Sequence, residues 1–228
     1  MKIGGLEKFT LTDYPGEISC IVFTVGCNFR CPFCHNTQLV TEEAEKTPEK
    51  EIFDFLRKRK GQLEGVVVTG GEPTVQSDLP GFLEKVKEMG YKVKLDTNGS
   101  ISTALKEVLD KDLVDYVAMD VKASLSNYDA VSGVEVETKK IKESIELTMG
   151  EKSYEFRTTA VPGLIDEKEI KKISKEIEGA KNYFIQQFEP RNTLKEKYLK
   201  MESLSEEKLK KLRDTASKYV RNCEIRNV

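Results

Sequence analysis

Three cysteines, Cys27, Cys31 and Cys34, stand in one short run, Cys27-Asn28-Phe29-Arg30-Cys31-Pro32-Phe33-Cys34-His35-Asn36. A loop with C-x3-C-x2-C spacing can fold three thiolates onto one metal centre, and soft sulfur ligands suit iron–sulfur or zinc. Three ligands rather than four leave a coordination position open for a substrate. The same logic separates catalytic from structural zinc. A zinc site would add His35, the single histidine of the chain, as its fourth ligand. The alternative role for His35 is a hydrogen bond in the layer behind the sulfur ligands.

Further polar groups recur downstream. Gly70-Gly71-Glu72-Pro73 follows an apolar run; paired glycines let the backbone approach a ligand closely, and Glu72 can meet a ligand cation. A plain turn is the alternative. Asp96-Thr97-Asn98-Gly99 and Asp120-Val121-Lys122 each place a carboxylate where a strand should end; Lys122, two residues on, falls on the same side as Asp120. Loop capping is the simpler use of such residues. Arg157 offers an inward guanidinium for a carboxylate, or an ion pair with Asp120. Of Gln186 and Gln187, alternation lets only one face a site.

These groups need elements to hold them. Glu17 to Val25 is rich in branched and aromatic residues and predicts a strand leading into the cysteine loop. Thr47 is expected to cap a helix with Pro48 at its first position. Gly65 to Thr69 is a short apolar strand. Asp78 opens a helix with Leu79, Phe82, Leu83, Val86 and Met89 inward, stopped by Gly90. Strands are expected at Tyr91 to Asp96, Leu113 to Asp120, Lys152 to Ala160 and Asn182 to Gln187. Helices are expected at Ile101 to Asp110, Thr138 to Met149, after Asp166, and from Ser205 to about Lys218. Residues 1–16 suggest an entry segment with turns, and 123–137 show no pattern. Six strands in βαβα order predict a parallel sheet with helices outside, short of the eight units that close a barrel. Ligands of such sheets bind beyond the carboxyl ends of the strands, where all the groups named above fall.

With 228 residues the chain is long enough for one domain, 1–228, with a core at about 17–190 and a C-terminal helical extension at about 191–228. A net charge of −2 offers no basic field for nucleic acid or an anionic membrane. No secretory or membrane-spanning run is visible, which implies a cytoplasmic setting. Five cysteines, three of them clustered, argue against a disulfide framework. Cys20 and Cys223 are expected to be buried or spare thiols.

The run from Cys27 to Asn36, preceded by Thr12-Asp13-Tyr14-Pro15-Gly16 and Phe23-Thr24-Val25-Gly26, resembles the radical S-adenosylmethionine enzymes that activate glycyl radical enzymes. It looks most like the long form of the anaerobic ribonucleoside-triphosphate reductase activating proteins. The resemblance spans roughly Gly5 to Pro190. It implies an open partial (β/α)6 barrel of parallel strands. It implies a 4Fe–4S cluster on Cys27, Cys31 and Cys34, with the fourth iron chelating S-adenosylmethionine. It makes Gly70, Gly71, Glu72, Asp96, Asn98, Asp120, Lys122, Arg157 and Gln186 contacts to that cofactor, and Asp96, Thr97 and Asp120 ligands of a monovalent cation. Asp13 corresponds to an aspartate that meets the substrate peptide.

The implied reaction is an oxidoreductase step of the [formate-C-acetyltransferase]-activating kind. The cluster reductively cleaves S-adenosylmethionine to a 5′-deoxyadenosyl radical, which abstracts a hydrogen from a glycine of the reductase. The implied partners are that reductase and a flavodoxin- or ferredoxin-type electron donor, with no nucleic acid and no membrane. Alternatives are an activase of pyruvate formate-lyase or another glycyl radical enzyme, a radical enzyme acting on a small molecule, and a non-catalytic zinc or iron–sulfur module. Thr12-Asp13-Tyr14-Pro15-Gly16 departs from the Asp-Gly-Pro-Gly of pyruvate formate-lyase activase. Five cysteines leave no ligands for accessory ferredoxin-like clusters.

Overall fold

The computed structural model describes residues 1–226, which hold eight strands interleaved with helices. The strands are β1 (Ile3–Thr10), β2 (Ser19–Thr24), β3 (Gly65–Gly70), β4 (Lys92–Thr97), β5 (Tyr116–Asp120), β6 (Tyr154–Ala160), β7 (Tyr183–Gln187) and β8 (Cys223–Arg226). The helices are α1 (Thr37–Val40), α2 (Glu49–Arg59), α3 (Leu79–Glu88), α4 (Ser102–Asp110), α5 (Tyr128–Ser132), α6 (Thr138–Gly150), α7 (Glu167–Glu176) and α8 (Glu206–Ala216). The chain forms two compact units. The first is Met1–Asn28, Gln38–Thr97 and Thr103–Val117; the second is Phe29–Thr37, Asn98–Ser102 and the residues from Ala118 on.

In the first unit β1 pairs antiparallel with β2, and β2, β3 and β4 run parallel side by side. The central run of β3, Val66-Val67-Val68, is buried on both faces, as a covered parallel strand requires. One face receives α2 and α3, whose stripes bury Ile52 and Leu56, and Leu79, Phe82, Leu83 and Val86. Each such side chain contributes about 1.5–3 kcal/mol by leaving water. The Tyr91 hydroxyl donates to the Leu56 carbonyl at 2.7 Å and ties α2 to the start of β4. On the other face Tyr14, Ile21 and Val67 pack together with Phe23 and Tyr116 against them.

In the second unit β6, β7 and β8 are parallel neighbours. Asp166 accepts the Glu169 N–H at 2.8 Å and starts α7, whose inward face is Ile170 and Ile173. Ser205 accepts the Lys208 N–H at 3.4 Å and starts α8, which buries Leu209, Leu212 and Ala216. The Asp166 cap meets the sequence expectation, and Ser205, where a helix was expected to begin, caps it.

The sequence reading gave six strands, and β1 and β8 are additions. Gly4-Gly5, read as a turn, lies inside β1. A Cβ at Gly4 would stand 2.5 Å from Leu39 Cδ2 and 2.7 Å from Val25 Cγ2, so this glycine serves close packing rather than chain reversal. The C-terminal part is not wholly helical, since it ends in β8. Pro48, expected at the first helical position, is the cap of α2 instead. The patternless stretch 123–137 contains a 3-10 helix, Leu125–Asn127, and the short α5. No helix among the described residues is long and apolar enough to cross a membrane.

Two carboxylates of α7 close this irregular stretch. Glu169 accepts the Ser124 N–H and hydroxyl, both at 2.8 Å, and Glu176 accepts the Leu125 N–H at 2.9 Å. The second oxygen of Glu176 is buried without a hydrogen-bond partner. Burial pushes its carboxyl up to about 7, with the Leu125 N–H opposing, Glu169 adding to the rise and Lys172 opposing. A carboxyl raised in the folded state binds protons that the unfolded chain has released. Stability from this group is therefore full at acid pH and declines as pH rises from 4.5 to about 7. Glu176→Gln should flatten that decline, so thermal melts of the variant and wild type should converge near the acid end and favour the variant above about pH 7.

Candidate functional site

The first unit stitches two strand ends together just before Cys27. Gly71 N–H donates to the Thr24 carbonyl and Glu72 N–H to the Gly26 carbonyl, both at 2.8 Å. Gly70 sits at φ +111°, and a Cβ on Gly71 would lie 2.0 Å from the Gly26 oxygen. The glycine pair was expected to let a ligand approach. The pair also lets the backbone of Thr24 and Gly26 approach, and Cys27 follows directly from that contact.

Glu72 is buried, 1% exposed. One of its oxygens accepts the Thr74 N–H at 3.0 Å, the Thr74 hydroxyl, and the Thr97 hydroxyl at 2.7 Å. The carboxylate thus caps the 3-10 helix Pro73–Val75 and joins the ends of β3 and β4. Asp96, at the end of β4, pairs with Lys94 Nζ at 2.5 Å. Lys94 was missed in the sequence. Its signal was the Lys-x-Asp alternation in β4, which puts both side chains on one face.

The second unit holds Phe29–Thr37, with Cys31 and Cys34, on the chain after β7. Lys195 N–H donates to the Pro32 carbonyl at 2.9 Å, and Asn192 donates to the His35 carbonyl at 3.2 Å. His35 Nε2 lies 2.7 Å from the Glu189 carbonyl, which makes it the protonated nitrogen, and the ring stacks on Phe188 at 6.0 Å. Phe33 meets Tyr198 edge-on at 6.2 Å, and Phe29 meets Tyr128 likewise. Cys34 N–H donates to the Cys31 carbonyl at 3.0 Å, forming the turn between the two thiols. Burial pushes the Cys31 thiol up to about 11 against the pull of Lys122, and burial raises Cys34. Any metal must therefore displace protons from both.

Deeper in this unit a chain of charges crosses the strands. Asp120 accepts from Arg157 Nε at 2.8 Å and from Lys122 Nζ at 2.7 Å. Burial alone would raise the Asp120 carboxyl; Arg157 and Lys122 overcome it and hold the group well below the usual carboxylate range. Burial opposes the Lys122 charge, and Asp120 restores it, so this ammonium stays protonated beyond the ordinary lysine range. Arg157 continues to Glu155 at 3.9 Å, and Glu155, 1% exposed, takes a two-pronged bond from Arg226 at 2.8 and 3.0 Å. The Arg226 guanidinium lies 3.3 Å from the Phe184 ring centre.

Arg157 thus makes the ion pair that the sequence offered as one of two uses. Glu155 was legible as an alternate residue on the same strand face; Arg226 was not, because β8 was not foreseen. Register pairs Gln186 with Arg226, putting it on this face; Gln187 points the other way and donates to the Leu204 carbonyl at 2.7 Å. Asn98 caps its own turn by accepting the Ser100 N–H at 2.9 Å. Asp13 accepts from Thr10 and Thr12 hydroxyls at 2.5 and 3.1 Å, inside the β1–β2 hairpin. Cys20 and Cys223 are buried, as expected.

The sequence pattern of the radical SAM superfamily matches residues 21–177. The chain belongs to the radical SAM superfamily. A Methanocaldococcus jannaschii protein, provisionally named a glycyl-radical enzyme activating enzyme, is 35% identical over 236 residues, covering 99% of this chain and 96% of its own length. The pyruvate formate-lyase-activating enzyme of Streptococcus mutans is 28% identical over 201 residues, covering 82% of this chain and 75% of its own. The solved structure of Streptococcus suis SuiB bound to precursor peptide SuiA superposes with a TM-score of 0.65 at 20% identity, over 91% of this chain and 48% of that one. That likeness speaks for the fold alone, and the fold class is the one expected: α/β, parallel strands, an open rather than closed barrel. Within the radical SAM superfamily the chain is like the glycyl-radical enzyme activases.

Membership implies a 4Fe–4S cluster and S-adenosylmethionine. Among the described residues no group of three or more Cys, His, Asp or Glu side chains is arranged to hold a metal ion. The donor set of the motif fits a cluster in its chemistry, being three thiols and no competing carboxylate within the run. The Gly71–Gly26 contact yields a direct test of the architecture around it. Gly71→Ala should cost about 1–3 kcal/mol or more by overpacking. A calorimetric melt should show a fall of several degrees, and an unchanged melt would contradict the close approach.

Proposed function

We propose that the chain is a radical SAM activase that installs a glycyl radical on anaerobic ribonucleoside-triphosphate reductase. Cys27, Cys31 and Cys34 hold the 4Fe–4S cluster. Gly70, Gly71 and Glu72 receive the amino end of S-adenosylmethionine, and Asp96, Asn98, Asp120, Lys122, Arg157 and Gln186 surround the rest. When bound, these cofactors would supply one-electron chemistry: reductive cleavage of the sulfonium, releasing methionine, coupled to removal of a hydrogen atom from a glycine Cα of the partner. The products are 5′-deoxyadenosine and a glycyl radical on the partner.

The chain's own part is to hold and to exclude. Phe188 and Tyr198 seat the cysteine loop through His35 and Phe33. The Lys122–Asp120–Arg157 chain presents fixed charge rather than a titrating acid or base. That suits a reaction whose reactive carbon would attack any mobile C–H. A flavodoxin- or ferredoxin-type donor supplies the electron, the whole of 1–228 works as one domain, and the setting is cytoplasmic.

One observation carries this reading: a relative provisionally named an activase matches the chain almost end to end, over 99% of its length. Thr12-Asp13-Tyr14-Pro15-Gly16 favours the reductase over pyruvate formate-lyase as target.

The test is anaerobic incubation of reconstituted protein with S-adenosylmethionine, reductant and each candidate partner. A glycyl electron-spin signal is expected on the reductase, and one on pyruvate formate-lyase alone would reassign the target. Cys31→Ala should lower 5′-deoxyadenosine formation by more than the roughly 10–100-fold that loss of an outer-shell partner costs a metal site. Retained turnover would remove Cys31 from the ligand set.

A further inference from the structure

Asp96, Thr97 and Asp120 were expected to surround a monovalent cation, and each is engaged by the protein itself. Asp120 takes Arg157 on one oxygen and Lys122 on the other. Thr97 gives its hydroxyl proton to Glu72. Asp96 takes Lys94.

Lys94 is the unusual member. Register places it in a row with Ile21 and Val67, on the face that Tyr14, Phe23 and Tyr116 also fill. It is 2% exposed, and its ammonium stands 5.9 Å from the centre of the Tyr116 ring. Packing alone would favour Leu or Met here, because a buried ammonium must be paired and solvated by the protein. The ammonium reaches one pleat along β4 to Asp96, the residue that the functional reading assigns to the bound cofactor. A lysine ammonium and a hydrated alkali ion offer a carboxylate the same unit charge, but the lysine is tethered and needs no uptake from solution.

We propose that Lys94 is a built-in counter-ion: a positioning residue that holds Asp96 ready for S-adenosylmethionine and takes the place of a monovalent metal cation. The inference rests on the reading that Asp96 serves that cofactor.

The experiment measures the Kd of S-adenosylmethionine on cluster-reconstituted protein by anaerobic calorimetry, in N-methylglucamine chloride and in potassium or sodium chloride of equal ionic strength. Wild-type Kd should differ less than twofold between these media, and any larger tightening by potassium or sodium overturns the proposal. Lys94→Met should bind at least tenfold more weakly in N-methylglucamine and recover in potassium or sodium. A folded variant that binds as wild type does, or fails to recover, also overturns it. If Lys94→Met does not fold, the wild-type comparison decides alone. A cation-independent wild type that never gives a glycyl signal sinks only the activase reading, whereas a cation-dependent wild type that does give one sinks only this inference. Absence of S-adenosylmethionine binding in every medium sinks both.

Discussion

A carboxylate that leaves water must be matched inside the protein by a cation or by hydrogen-bond donors, or else hold its proton, and this requirement shapes each unit. Asp120 is held by two cations from β6 and from its own chain, and Glu155 by the fork of Arg226 from β8. Strand periodicity makes this achievable. Residues two apart share a face, so Glu155 and Arg157 on β6, or Lys94 and Asp96 on β4, meet without bending the chain. In the first unit the polar and apolar sides of the sheet are thus one construction, since the same alternation buries Val66 and Val68 on the other side.

The second recurring device is close backbone approach. At Gly71 and Gly4 the chain packs where no side chain fits. Around Gly71 the contact joins the end of β3 to the segment that delivers Cys27, and Glu72 carries the joint on to Thr97. A motif expected to touch a ligand therefore also has a constructional duty. Its glycines are required by the fold before any cofactor is considered.

Much of this was legible in the sequence. The apolar stripes of α3 and α7, the cap Asp166, and the strand–helix alternation from β2 to β7 rest on local patterns, and local patterns survive folding. The edges were not legible. β1 carries Gly4-Gly5 and charged residues, and β8 is only Cys223–Arg226, so neither shows the branched-residue run that betrays a central strand. The charge partners divided the same way. Arg157 with Asp120 followed from position, whereas Arg226 depended on a strand that local pattern does not reveal. The seat of the cysteine loop was hidden for a different reason. It is built from Glu189, Asn192 and Lys195, whose backbone and amide groups meet the loop through tertiary contacts that leave no periodic trace.

That seat bears on how the protein is made. His35 and Glu189 are 154 positions apart in the chain. On the ribosome the cysteine loop emerges early, while Phe188, Asn192 and Tyr198 are still to be translated. Until they arrive the loop lacks this part of its support and keeps only earlier contacts such as Phe29 on Tyr128, so its full order waits for the segment that follows β7.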